Sequence, residues 1–216
     1  MKKIGMLLAV VLCGCASSTR LVQNWKNPDI VLFHANKVLI VGMIQNPENR
    51  ERFETQLVQE FTARGVDAMR SIDLFDVEFT LSAKTEEEVA RVEEQLLAKD
   101  FDAILVTKVV GSESAKTLGK RIAELENLTG KFKEDYLHHQ DIYYDSDYYG
   151  KYKLYHTETS LYCICVAKEE ELIWQAAIDI PDPKNVEKSM NSYIDLLVAT
   201  LKAQDLVFIS DHKYKM

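Results

Sequence analysis

The chain has 216 residues, a formal net charge of −8, and a composition that is 47% hydrophobic and 28% charged. These values describe a globular chain of one ordinary domain or at most two small ones, and exclude a disordered or collagen-like one. The acidic balance argues against a nucleic-acid partner, whose phosphates need Lys and Arg to displace counterions, and against electrostatic docking onto anionic lipid.

In chain order, Met1-Lys2-Lys3 is a basic start and Ile4–Leu12 a nine-residue apolar run. That run is far shorter than the ~20 residues a helix needs to cross a bilayer, so the pair describes a secretory signal rather than a span. Cys13 and Cys15 follow, and a second i, i+2 pair, Cys163 and Cys165, lies near the other end. Neither pair has the C-x-x-C spacing of a zinc knuckle or thioredoxin-like site, and a disulfide framework is not expected at this length and count. Leu12-Cys13-Gly14-Cys15 resembles the bacterial lipobox. The resemblance implies cleavage after Gly14, acylation of Cys15 and loss of Cys13, so that 1–14 is a signal peptide and 15–36 a lipidated tether and connector. Two or three acyl chains on one residue hold a protein stably. Ala16 after the anchor, rather than Asp, resembles the default Gram-negative route to the outer membrane, facing the periplasm. With a single membrane, the lipid places the protein on its outer face. The alternative is a buried N-terminal element that ends in Cys-Gly-Cys.

After a connector with Trp25 and Pro28, Lys37–Ile44 is a continuous apolar, β-branched run and predicts a strand covered on both faces. Asn46 as N-cap, Pro47 at the first helical position and Gly65 beyond the end bound a helix with Phe53, Leu57, Val58 and Phe61 on its core side. A strand near Val66–Ile72 follows, with Leu74–Leu81 as its continuation or a loop. Thr85 and Glu88 make a capping box that opens a helix to about Lys99, with Val89, Val92, Leu96 and Leu97 inward. Phe101–Gly111 is another buried strand. Residues 112–155 are an irregular insertion with a helix around Ala115–Leu128 and a Tyr-rich stretch. Thr157–Val166 and Leu172–Ile180 pair as a hairpin around a Glu169–Glu171 turn, and Asp182-Pro183 opens a last helix to about Ala203, with Leu196, Leu197 and Leu201 inward. The expected fold is α/β (α+β): a single mixed sheet packed with helices, as one domain over 37–210.

The segments KVLIVGMIQNPENRERFETQLVQEFTARGVDAMRS, FDAILVTKVV and ELIWQAAID resemble a class of bacterial lipoproteins whose domain is similar to the N-terminal domain of the TolB translocation protein. The resemblance spans about Lys37 to Leu206. It implies that fold and a non-catalytic role, and it carries over no catalytic residues.

No phosphate cradle, G-x-S-x-G elbow or H-E-x-x-H occurs. His138, His139 and Asp141, with His156, could be metal ligands or solvated loop residues. Adjacent histidines seldom converge on one ion, so no metal or cofactor is expected. Cys163 and Cys165 share a strand face, where a bridge between them would distort the strand. They are expected as buried free thiols. Tyr143, Tyr144, Tyr148, Tyr149, Tyr152 and Tyr155 form either an interaction surface or a cover over a sheet edge. The function expected is that of a lipid-anchored interaction or assembly factor, with an envelope protein or a second copy as partner. The alternatives are an envelope enzyme, for which the tyrosines and His138/His139 must converge on one cleft, and a small-ligand binder with an apolar cavity under the insertion.

Overall fold

The computed structural model describes residues 19–75, 77–112, 114–124, 130–152, 154–164, 171–180 and 185–208. The signal segment, Cys13, Cys15, Cys165 and the Asp182-Pro183 helix start lie outside them. In order, the elements are β1 (Arg20–Lys26), β2 (Phe33–His34), β3 (Lys37–Met43), α1 (Pro47–Thr62), β4 (Asp67–Arg70), α2 (Ser71–Leu74), a 3-10 turn (Val77–Thr80) and α3 (Glu86–Leu97). Then come β5 (Ala103–Ser112), α4 (Ala115–Glu124), α5 (Phe132–His139), α6 (Asp141–Tyr144), a 3-10 turn (Tyr148–Gly150), β6 (Leu154–Cys163), β7 (Glu171–Asp179), α7 (Val186–Ala203) and β8 (Leu206–Val207).

Six strands form one mixed sheet in the order β1-β7-β6-β5-β3-β4, and β2 and β8 form a small parallel pair. β3 is parallel to both β4 and β5, and the remaining neighbours are antiparallel. The fold is thus a mixed α/β sheet packed with helices. Alternation along β3 feeds two cores. Val38 and Ile40 meet Phe53, Leu57 and Phe61 of α1 and Tyr193, Leu197 and Leu201 of α7 on one face. Leu39, Val41 and Met43 meet Val89, Val92 and Leu96 of α3 and Phe132 and Tyr136 of α5 on the other. Most of these side chains are fully buried, at about 1.5–3 kcal/mol of transfer free energy for each large one.

Local signals explain the helix starts. Asn46 Oδ1 accepts from the Asn49 amide at 2.9 Å, and Pro47 opens α1. Gly65 adopts φ 83° just past its end, a backbone state that costs other residues. Thr85 and Glu88 complete their box, with Glu88 N to Thr85 Oγ1 at 3.3 Å and Thr85 N to Glu88 Oε2 at 2.8 Å.

Several expectations need correction. Arg20–Lys26, placed in the connector, is an edge strand on β7. None of its side chains is buried, so it carries no hydrophobic signal. The second strand ends at Arg70 and turns into α2 at Ser71, whose hydroxyl is held by Glu54 and Arg50. Within the insertion, α5 had no sequence forecast, because its buried residues are only Phe132 and Tyr136. The described last helix, α7, begins at Val186 and is capped by Asn185, which accepts from Lys188 N at 3.1 Å. Leu97, expected inward, is exposed. Cys163 is buried but not a free thiol: it is disulfide-bonded, to a cysteine outside the described residues.

Candidate functional site

The strand directions bring five strand ends together. The C-terminal ends of β3, β5 and β7 and the N-terminal ends of β1 and β6 share one end of the sheet, which α1 and α7 approach with their N-termini. In open α/β sheets, ligand crevices form at the C-terminal ends of parallel strands where the winding reverses. Here the winding reverses between β3 and β5, since the chain moves from β3 out to β4 and back across to β5.

A buried network fixes this end. Glu54, 0% exposed, accepts from Gly42 N at 3.0 Å, Ser71 Oγ at 2.7 Å, Ile72 N at 3.2 Å and Arg50 Nε at 3.1 Å. Arg50 also donates to Ser71 Oγ at 2.9 Å. Its guanidinium lies 4.8 Å from the Tyr143 ring centroid, and the Tyr143 hydroxyl donates to the Gly42 carbonyl at 3.1 Å. Every buried polar atom of the carboxylate is therefore matched, as low dielectric requires.

The tyrosines of the insertion largely turn inward. Tyr148 is buried and its hydroxyl accepts from Gly111 N at 3.4 Å. Its ring meets those of Tyr149 and Tyr152 edge-on at 5.2 and 5.4 Å. Tyr152 lies so close over Gly111 that an added Cβ would sit 2.1 Å from its ring, which is why only glycine fits there. Tyr143 is bound as above, and Tyr144, 38% exposed, is the exposed one among the five described. The side chain of Tyr155 lies outside the described residues. Burial holds the Tyr143 and Tyr148 hydroxyls well above the usual phenol range and pushes Tyr136 up to about 12.

Two large cavities flank the sheet, the first of them at this end. The first, about 490 Å³, lies between α1, α7 and the ends of β5 and β6, with Tyr149 on its rim. Its lining is mostly apolar, including Ile44, Phe53, Val109, Ile180, Val186 and Met190, and contains no Asp, Glu, Lys or Arg among the described residues. Thr107 and Tyr193 supply hydroxyls at its wall. Thr107 Oγ1 lies 3.0 Å from Thr159 Oγ1, which also contacts the Tyr193 hydroxyl, so these groups satisfy one another. Burial pushes Tyr193 up to about 12.

The second cavity, about 480 Å³, opens on the opposite face and is polar. Lys108, 1% exposed on β5, forms an ion pair with Asp135 of α5 and lies 3.8 Å from Glu158 of β6. Asp135 also accepts from the Tyr162 hydroxyl at 2.9 Å and lies 3.0 Å from His139 Nδ1. Burial opposes ionisation of Asp135, but the Lys108 ammonium, aided by His139, outweighs it and holds the carboxyl below the usual carboxylate range. Burial, with Asp135 nearby, raises Tyr162 well above the phenol range. Sequence reasoning missed Lys108, Asp135 and Glu158. The available signal was Lys108 itself, a lone cation inside the apolar run FDAILVTKVVG.

The histidines divide accordingly. His138 and His139 line the polar cavity, while His156 contacts Glu158 Oε1 at 2.5 Å and borders the apolar one. Asp141 starts α6. Among the described residues, no group of three His, Cys, Asp or Glu side chains is placed to hold a metal ion. Of the two cavities described, Tyr149 lines the apolar one and His138 and His139 line the polar one. No described helix is long and apolar enough to cross a membrane. The chain matches no protein-family model and no curated protein.

Proposed function

We propose that the protein is a lipid-anchored component of the cell envelope that binds rather than catalyses. Cys15 holds it at the outer membrane on the periplasmic side, or on the outer face of a single membrane, and its domain is TolB-N-like. The observation that carries the binding reading is the apolar cavity at the strand-end crevice, the place and lining expected of a ligand site. On the opposite face, Lys108, Asp135 and Tyr162 are bonded to one another, with Glu158 beside Lys108. A protein partner or a second copy has the insertion's exposed Tyr144 and the cavity rim to engage.

Metabolic labelling with a tagged fatty acid tests the anchor: the wild-type chain takes up label and fractionates with membrane, and Cys15→Ser loses both. A Cys15→Ser protein that stays labelled refutes the assignment. For the binding surface, crosslinked partners of the anchored wild type are compared with those of Tyr144→Ala and Tyr149→Ala. Point changes are preferable to deleting 141–155, which would strip Ile142, Tyr143 and Tyr148 from the packed interior. Unchanged partners in both variants remove the insertion as an interface.

A second reading, an envelope enzyme, is favoured by the buried Lys108–Asp135–Tyr162 group on a cavity. It requires Tyr162→Phe to abolish activity without loss of fold.

A further inference from the structure

We infer that the apolar cavity holds one acyl chain of a membrane phospholipid, drawn from the membrane that carries the anchor. This rests on the anchor reading for its geometry and on the cavity for its chemistry. The cavity's volume of about 490 Å³ lies within the range of small-ligand sites. A peptide strand inside it would need partners for its backbone N–H and C=O groups, and a polar metabolite partners for its own. Most of the wall's surface is apolar, although Asn49, Thr157 and Ser189 also line it, and the hydroxyls of Thr107 and Tyr193 are engaged with Thr159. No Asp, Glu, Lys or Arg among the described residues lines it to meet a phosphate, and the one imidazole there, His156, is paired with Glu158. A hydrocarbon chain needs no polar partner, and its headgroup would stay outside the mouth.

The source follows from chain length. β1 begins at Arg20, which pairs with Asp179, and Ile180 next to Asp179 lines the cavity. The five residues from Cys15 to Arg20 reach at most about 18 Å when fully extended. The start of β1, within that reach of the anchor, therefore shares one end of the sheet with the cavity. That end also presents Val186, 40% exposed at the rim, and Tyr144, 38% exposed. Tyrosine is a side chain suited to a membrane–water boundary.

The test uses cells expressing the full chain and fed a diazirine-bearing palmitate, which enters both phospholipid and lipoprotein acyl groups. After irradiation, the digested protein is analysed by mass spectrometry. The expected result is phospholipid-mass adducts on α1 or α7 peptides, reduced at least tenfold in Ser189→Trp, which puts an indole into the cavity's lining, with label on the Cys15 peptide unchanged. Val186→Trp at the exposed rim gives the same loss and serves if Ser189→Trp fails to fold. The inference is overturned by a labelled Cys15 peptide with no cavity adduct, by cavity peptides crosslinked to the Cys15 peptide itself, or by adducts that persist in both variants. An unlabelled Cys15 peptide defeats the anchor reading separately, and the cavity adduct still decides the occupant.

Discussion

The Tyr143 hydroxyl donates to the Gly42 carbonyl at 3.1 Å, joining positions 101 residues apart. Through it the insertion is fastened to the end of β3, beside the Arg50 guanidinium on which the same ring lies. Tyr143→Phe removes one buried hydrogen bond and is expected to cost about 1 kcal/mol. Tyr143→Ala also removes the ring and should cost about 3–5 kcal/mol, by analogy with other buried aromatics. Urea unfolding of the two variants measures both, and equal losses would show that the hydroxyl, not the ring, holds the insertion.

Glu54 and Arg50 form a buried i,i+4 ion pair with 0% and 10% side-chain exposure. Glu54→Gln leaves the guanidinium without its carboxylate, and about 3–5 kcal/mol of destabilisation is expected. Arg50→Met combined with Glu54→Leu should cost clearly less than the sum of the single changes, because neither charge is then stranded. Additive losses would mean that the two side chains act independently.

Acid sensitivity follows from Asp135. Its carboxyl titrates lower in the folded chain than in the unfolded one, where it stays near 3.8. The unfolded state therefore takes up the proton first as pH falls. Stability from Asp135 is fully present above about pH 4, the usual carboxylate region, and is lost progressively below it. The stability gap between wild type and Asp135→Asn should be widest near neutrality and shrink below about pH 4. A gap independent of pH would show that the carboxylate's charge is not what Lys108 recognises.

Tyrosine titration offers an independent check. Burial raises Tyr136, Tyr143, Tyr148, Tyr162 and Tyr193 above their usual value of 10.0. Above that value the unfolded phenols ionise while the folded ones resist, so stability falls as pH rises. Phenolate absorbance should rise near pH 10 for only part of the ten tyrosines, with the rest appearing together with loss of circular dichroism. A single early wave with structure intact would contradict the packing of the insertion.

What the sequence disclosed was local. α1 and α3 announce themselves through Asn46-Pro47 and Thr85/Glu88, whose partners lie within a turn. β3, buried from Val38 to Met43, is legible because both of its faces are apolar. The candidate site was much less legible. Lys108 meets Glu158 through strand register and Asp135 through a helix packed on the sheet, and no spacing rule relates those positions. The apolar cavity draws its walls from α1, β5, β6 and α7, each of which reads as ordinary core. The tyrosine run was conspicuous, but its composition could not say which rings would turn inward.

The edge strand that begins at Arg20 has a mechanical consequence. Its hydrogen bonds to β7 run across the strands, and on the anchor reading its N-terminus leaves the sheet along the strand axis toward the membrane. A tug from the lipid would load the β1–β7 rungs in parallel as shear, instead of unzipping them singly. The Arg20–Asp179 ion pair, 2.8 Å long, stands first in that line. The strand that shows least in the sequence is the one that would carry the tension.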